Sequence, residues 1–458
     1  MTERLIVIGG DAAGMSAASQ ARRLKGPDEL EILVFERGNF TSFAACGIPY
    51  WIAGLIDERD ELIARAPEVF RDKQAIDVRM RHEVVAIDTD ARTVTVHDLD
   101  ADERSEHRYD QLLIATGAKP MRPPLPGIDA NGVFGVQTLD HGQAVLDALE
   151  VRRPGRAVVI GAGYIGIEMA EAMLLRGLEV HVVELADQPM STLDPDMGQL
   201  VAEAMERMGI HLHLGAAVQA VETGEDGWIT AVVTSAGRLE ADIAVLGTGT
   251  RPNSDLARDA GIPIGPSGGI VTDRRMRTPV EGIWAAGDCA ETFHRVTRGP
   301  VSIALGTIAN KQGRIAGLNL GGSYGGFPGV LGTAVTKVCE VEIARTGLGE
   351  EAARAAGFAP VAATITGTTR AHYYPDAQPI TIKVVAEADT GRLLGAQIVG
   401  REGAAKRIDV FATALWNDMR VEEFLNMDLA YAPPFSPVWD PVLIAARKLD
   451  GEVREAAR

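Results

Sequence analysis

The glycine-rich turn Gly161-Ala162-Gly163-Tyr164-Ile165-Gly166 follows the apolar run Val158-Val159-Ile160 and precedes a helix-forming stretch that reaches Arg176. A further strand, Glu179–Val183, then ends on the acid Glu184. No other feature constrains the chain as tightly. The first glycine permits a sharp turn, the second lets backbone approach a pyrophosphate, and the third lets the helix pack on the strand. The acid, about 20 residues further on, is placed to accept from a ribose hydroxyl. Such a segment folds as a βαβ unit, with its ligand at the helix start.

An earlier copy opens the chain. Leu5–Ile8 leads into Gly9-Gly10-Asp11-Ala12-Ala13-Gly14, a helix runs to Leu24, and the strand Glu31–Phe35 ends on Glu36. Asp11 stands where the middle glycine is expected, so Gly9, Gly14 and Glu36 carry this fingerprint. After the second acid the chain reads Leu185-Ala186-Asp187, with no arginine. A carboxylate there accepts from a 2′-hydroxyl and repels a 2′-phosphate, which favours NADH over NADPH.

Two dinucleotides in one chain of 458 residues leave a large remainder. Leu112-Leu113-Ile114-Ala115-Thr116-Gly117 closes the first segment, and the prolines from Pro120 to Pro126 make a stiff linker. Val245-Leu246-Gly247-Thr248-Gly249-Thr250-Arg251-Pro252-Asn253 closes the second in the same style, and Gly282–Asp288 is a strand ending in a carboxylate. From about residue 326, strand-like runs (Val341–Ala344, Val361–Thr366, Ile380–Val385, Leu393–Val399) precede helical stretches at Lys406–Asn417 and Val421–Leu425. This α+β segment has no nucleotide fingerprint, and an interface role is expected of it.

The net charge of −18 argues against nucleic acid and anionic membranes as partners. No apolar run approaches the ~18 residues of a membrane span, and Met1–Arg4 leads straight into a strand without a secretory layout. Three cysteines without CxxC or metal spacing point to a reducing compartment. A cytoplasmic protein without a metal site is expected.

Of these cysteines, Cys46 has a setting suited to chemistry. In Thr41-Ser42-Phe43-Ala44-Ala45-Cys46-Gly47-Ile48-Pro49-Tyr50-Trp51, Gly47 and Pro49 read as the start of a short helix reaching Leu55. A helix start favours a thiolate through its free N–H groups and dipole. Cys289 and Cys339, the latter in a strand-like run, read as packing residues.

The order of first fingerprint, ATG, second fingerprint, GTG-RPN, AGDCAE and α+β segment resembles the FAD/NAD-linked disulfide reductase superfamily. Dithiol members carry CxxxxC, whereas Trp51 stands five positions after Cys46 here. Ser42 to Gly47 instead fits the SFxxCG pattern of single-cysteine members. Tyr431-Ala432-Pro433-Pro434-Phe435-Ser436 and His372-Tyr373-Tyr374-Pro375 resemble the coenzyme A-disulfide reductase branch. Its relatives reduce persulfide or polysulfide, or oxidise NADH with oxygen.

The resemblance implies an α/β fold with two Rossmann-like domains and a C-terminal α+β dimerisation domain. The FAD domain would span 1–118 and 245–325, the NAD domain 119–244, and the dimerisation domain 326–458. FAD would lie on Gly9, Gly14 and Glu36, with Asp288 on its ribitol chain; NADH would lie on Gly161, Gly163, Gly166 and Glu184, with Tyr164 as a gate. Ala115, Thr116, Gly117 and Gly249 would complete the cofactor sites. Tyr431 and one of Tyr373 or Tyr374 would reach Cys46 across a homodimer. Ser16, Gln20, Arg23, Ser42 and Asn310 match coenzyme A contacts, while Ala45 and Trp439 replace an asparagine and a lysine of that pattern.

The expected activity passes electrons from NADH through flavin to a sulfur species on Cys46, reducing a coenzyme A-type disulfide or a persulfide. An alternative is an NADH oxidase or peroxidase cycling Cys46 through sulfenic acid. Peroxidatic relatives carry a histidine in the first glycine loop, where this chain has Ala12. A non-enzymatic flavin redox sensor or electron-donor subunit is the alternative of another class.

Overall fold

Runs such as Leu5-Ile6-Val7 and Val158-Val159 are apolar without alternation, as expected of strands covered on both faces. In the computed structural model, which describes residues 2–456 and 458, these side chains are fully buried. The first sheet has five parallel strands in the order Ile283–Ala285, Gln111–Ile114, Glu3–Ile8, Leu30–Glu36 and Asp77–Met80. The second is parallel too, in the order His211–His213, Glu179–Val183, Arg156–Ile160, Ile243–Leu246 and Val133–Gly135. In each, the fingerprint turn leaves the central strand where the connections diverge to either side, the place where such sheets open a ligand crevice.

The strand Ile243–Leu246 is hydrogen-bonded within the second sheet, so the stretch expected to rejoin the first unit at 245 still contributes Val245 and Leu246 to the second. The two crossings between the units are strapped together. Ala118–Pro120 pairs antiparallel with Thr250–Pro252. The Thr116 hydroxyl donates to the Asn253 carbonyl at 2.6 Å, and the Asn253 N–H donates to the Gly117 carbonyl at 2.9 Å. The similar ATG and GTG-RPN runs are therefore two sides of one hinge.

The C-terminal segment forms a five-stranded antiparallel sheet, ordered Ala334–Val338, Val341–Gly347, Leu393–Gly400, Pro379–Glu387 and Pro360–Thr368. The helix Pro441–Ala456 packs on its last two strands. Two local expectations need correction. The helix after Cys46 spans Ile48–Ala53, because Gly54 (φ +80°) terminates it and leaves Leu55 exposed. Cys339 is not in a strand; it occupies the turn between Ala334–Val338 and Val341–Gly347, with φ +51°. Among the described residues, no helix is long and apolar enough to cross a membrane.

Candidate active site

Both acids grip their own glycine turns. The Gly10 N–H donates to Glu36 Oε2 at 2.7 Å and the Gly38 N–H to Oε1 at 2.7 Å. In the second unit the Ala162 N–H donates to Glu184 Oε2 at 2.6 Å and the Ala186 N–H to Oε1 at 2.9 Å. Gly9 and Gly161 hold φ of +104° and +101°, where other residues are strained. A Cβ on Gly14 or Gly166 would strike the carbonyl of Gly9 or Gly161, so glycine alone lets each helix start this close to its strand.

Dinucleotides fit these turns. The helices Ala12–Leu24 and Tyr164–Leu175 begin without a side-chain cap, which leaves first-turn N–H groups for an anion. Beside Gly163 the space is open. In the first unit, half-buried Asp288 has one buried oxygen, Oδ1, with no partner. Burial pushes its carboxyl up to about 6, and an orphaned acceptor of this kind suits the hydroxyls of a polyol chain. Asp11 is also pushed up to about 6, by burial and then by Glu36.

The helix Ile48–Ala53 follows the first fingerprint in sequence but packs against the second unit, on the helices Leu139–Arg152 and Tyr164–Leu175. Ile48, Trp51 and Ile52 join that unit's core, each such burial stabilising by roughly 1.5–3 kcal/mol. The Arg176 guanidinium donates to the Ile52 carbonyl at 2.5 Å. This packing holds Cys46, in the turn Ala45–Gly47, between the two nucleotide units. Cys46 is exposed, Cys289 is buried against the Ile114 and Ala286 carbonyls, and Cys339 is half-buried.

The Cys46 thiol is pushed up, by burial first and then by Glu168, Asp288 and Asp11. The thiolate bias expected of a helix start is thus opposed by three carboxylates. Glu168 escaped the sequence reading. It lies one turn beyond Tyr164 and one turn before Glu171, the two acids of an otherwise apolar helix, and accepts from the Thr336 hydroxyl at 2.8 Å. Burial pushes Glu168 up as well. The signal was available: an acid in the run Tyr164-Ile165-Gly166-Ile167-Glu168 lacks a polar reason to be there. Glu171, a further turn along, pairs with Lys337 at 2.5 Å. Tyr50 is pushed up to about 12 by burial, Glu168 and Glu171.

Tyr164 is pushed up by burial and sits near Arg345 of the C-terminal sheet. Ala115 to Gly117 and Gly249 lie at the straps; the Gly249 carbonyl accepts from the Met121 N–H at 2.9 Å. Ser16 donates to Asn310 Oδ1 at 2.8 Å, and Arg23 to Gln20 Oε1 at 3.3 Å, so these four form one polar strip along two packed helices. Ser42, at φ +50°, links to the first glycine turn through its N–H and the Gly10 carbonyl at 3.3 Å. Tyr373 raises Tyr431 above the ordinary tyrosine range, and both are exposed. Of the two tyrosines, Tyr373 is the one whose charge Tyr431 feels. Neither is among the charges felt by Cys46 within one chain.

Residues 3–313 match the family described as pyridine nucleotide-disulphide oxidoreductase, and residues 333–441 match its dimerisation domain. The chain is 41% identical over 446 residues to an NAD(P)H sulfur oxidoreductase (CoA-dependent) of Pyrococcus abyssi, covering 97% of this chain and 98% of the relative. It is 37% identical over 444 residues to an NADH oxidase of Methanocaldococcus jannaschii, covering 97% and 98%. The solved structure of an NAD-dependent persulfide reductase from A. fulgidus superposes with a TM-score of 0.95 at 38% identity, covering 99% of this chain and 84% of that one. The chain belongs to the pyridine nucleotide-disulphide oxidoreductase family, FAD-dependent enzymes that use NADH or NADPH.

Proposed function

We propose that this enzyme uses NADH to reduce a low-molecular-weight disulfide of coenzyme A type, or a persulfide, at Cys46. The observation that carries this reading is the position of Cys46: an exposed thiol that feels Glu168 of the second nucleotide unit and Asp288 and Asp11 of the first. When bound, FAD and the nicotinamide supply hydride and two-electron chemistry.

Gly9, Gly14, Glu36, Ala115, Thr116, Gly117 and Asp288 would hold the flavin nucleotide. Gly161, Gly163, Gly166, Glu184 and Gly249 would hold the nicotinamide nucleotide, with Tyr164 closing over it. We divide the units after Leu246, where the second sheet ends, and assign residues from 326 onward to a homodimer interface. Cys46, as thiolate, attacks one sulfur of the substrate; the S–S bond breaks and a mixed disulfide forms. Tyr431 of the partner subunit is the proton donor to the leaving thiolate. Two electrons then release the second thiol and restore Cys46.

A phosphate-bearing thiol suits the surroundings. Next to the Ser16–Arg23 strip, a cavity of about 670 Å³ is lined by Arg23, Arg65 and Lys73. The oxidase alternative draws on the M. jannaschii relative. We place the enzyme in the cytoplasm, where three free cysteines stay reduced. Steady-state NADH oxidation with coenzyme A disulfide, other small disulfides, polysulfide, peroxide and oxygen decides among these. The expected result is disulfide or polysulfide turnover well above the rate with oxygen alone. Equal rates with oxygen alone would assign an oxidase.

A further inference from the structure

The second sheet ends in an edge strand, His211–His213, paired in parallel with Glu179–Val183. His181 lies directly opposite His211 in that pairing, and strand alternation puts Glu179 on the same face as His181 and His213 on the same face as His211. The side chains meet accordingly. The His181 and His211 rings stack at 4.8 Å with 23° between planes. His181 Nε2 lies 3.0 Å from Glu179 Oε1, and His181 Nδ1 lies 3.0 Å from His213 Nε2.

We propose that Glu179, His181 and His211 form a site for a divalent transition-metal ion, Zn2+ foremost, on the edge of the nicotinamide-nucleotide unit. One potential ligand atom from each residue lies within 4.8 Å of the others, the one such grouping among the described residues. Tetrahedral zinc with bonds of about 2.0–2.2 Å brings its ligand atoms to about 3.3–3.6 Å apart, which small side-chain rotations reach from here. Two imidazoles and a carboxylate suit Zn2+, Cu2+ and Ni2+ better than the hard cations. His213 completes the arrangement without binding the ion. With an ion on His181 Nε2, the ring's Nδ1–H would donate to His213 Nε2, 3.0 Å away, and fix its orientation. A fourth position stays open to water. No sequence spacing betrays this site, because its ligands come from two strands joined only by the sheet.

The site borders the nucleotide seat. The His213 carbonyl accepts from the Glu184 N–H at 3.0 Å, so an ion that ties the two strands also ties the strand end that presents Glu184. It lies apart from Cys46, the other conceivable zinc ligand, and the two are separable by experiment.

The test is equilibrium dialysis of FAD-loaded protein against micromolar Zn2+, with bound metal counted per chain in wild type, His211→Asn and Glu179→Gln. Both altered residues are exposed, so the sheet tolerates their loss, and matching melting curves without metal check this. The expected result is one more zinc per chain in wild type than in either variant, retained after alkylation of Cys46. Zinc also raises the melting temperature of wild type only. Equal zinc content in all three proteins, or zinc lost on alkylation alone, overturns the proposal.

Discussion

The Glu184 carboxylate accepts from the Ala162 N–H at 2.6 Å. Its other oxygen is held by the Ala186 N–H. A carboxylate fixed in this way reads the ribose as a rigid acceptor. A preference for NADH is therefore expected, because this carboxylate repels a 2′-phosphate.

Glu184→Ala should lower kcat/KM for NADH by roughly tenfold to a hundredfold, the loss of about 1.5–3 kcal/mol for a charged hydrogen bond. Glu184→Arg should also raise kcat/KM for NADPH. Steady-state kinetics with both nucleotides checks this, and a wild-type preference for NADPH would contradict it.

The Asp288 carboxyl, pushed up to about 6 by burial, makes the cofactor-free fold pH-dependent. Because its folded value lies above the ordinary one, its contribution is stabilising below about pH 4 and is lost as pH rises through 6. Two units correspond to a cost of at most about 3 kcal/mol at neutral pH. Asp288→Asn should therefore raise the melting temperature of the FAD-free protein at pH 7 and weaken its retention of FAD. A variant that binds FAD as tightly as wild type would remove Asp288 from the flavin site.

Lys383 lies in the C-terminal sheet, 7% exposed, and contacts Asp196 at 2.7 Å, Glu350 at 2.8 Å and Asp194 at 3.2 Å. Asp194 and Asp196 begin the helix Pro195–Arg207 of the second unit, so one ammonium joins two units. Lys383→Met leaves Asp194 buried without a counter-charge. Destabilisation of roughly 3–5 kcal/mol is expected, measured by denaturant unfolding of FAD-loaded protein. A loss below about 1 kcal/mol, the range of exposed pairs, would mean that water screens this cluster.

What the sequence made legible was local. Gly9, Gly14, Gly161, Gly163 and Gly166 announce their role because a turn, a helix start and a strand end fall within a few residues of one another. Cys46 stands out as the candidate thiol for a related reason: Ser42 to Gly47 is a contiguous pattern. Its charge environment was not. Glu168 comes from another unit, Asp288 from a distant turn, and only the packing of Ile48–Ala53 brings them to the sulfur. Which of Tyr373 and Tyr374 neighbours Tyr431 likewise depends on the C-terminal loop, which no strand periodicity fixes. Cys339 was misplaced because Val338 and Val341 read as one apolar run, although a hairpin turn separates them.

The decisive variant is Cys46→Ser. In the proposed assignment FAD is held by Gly9, Gly14, Glu36 and Asp288, and NADH by the second fingerprint, so the variant should retain flavin and still bleach it with NADH. It should lose turnover with every disulfide or persulfide, because serine cannot form the mixed disulfide. In the wild type, a thiolate beside the flavin should add a long-wavelength band on two-electron reduction, and the variant should lack it. That band should grow as pH rises, since burial and the carboxylates hold the thiol above its ordinary range. Glu168→Gln removes the first of those charges, so the thiol should ionise at lower pH and the band should appear earlier in a titration. Cys289→Ser and Cys339→Ser should leave both turnover and band in place, one sulfur being sealed in the first core and the other set in a turn. Disulfide turnover surviving in Cys46→Ser, or lost instead in either control, would place the sulfur chemistry elsewhere.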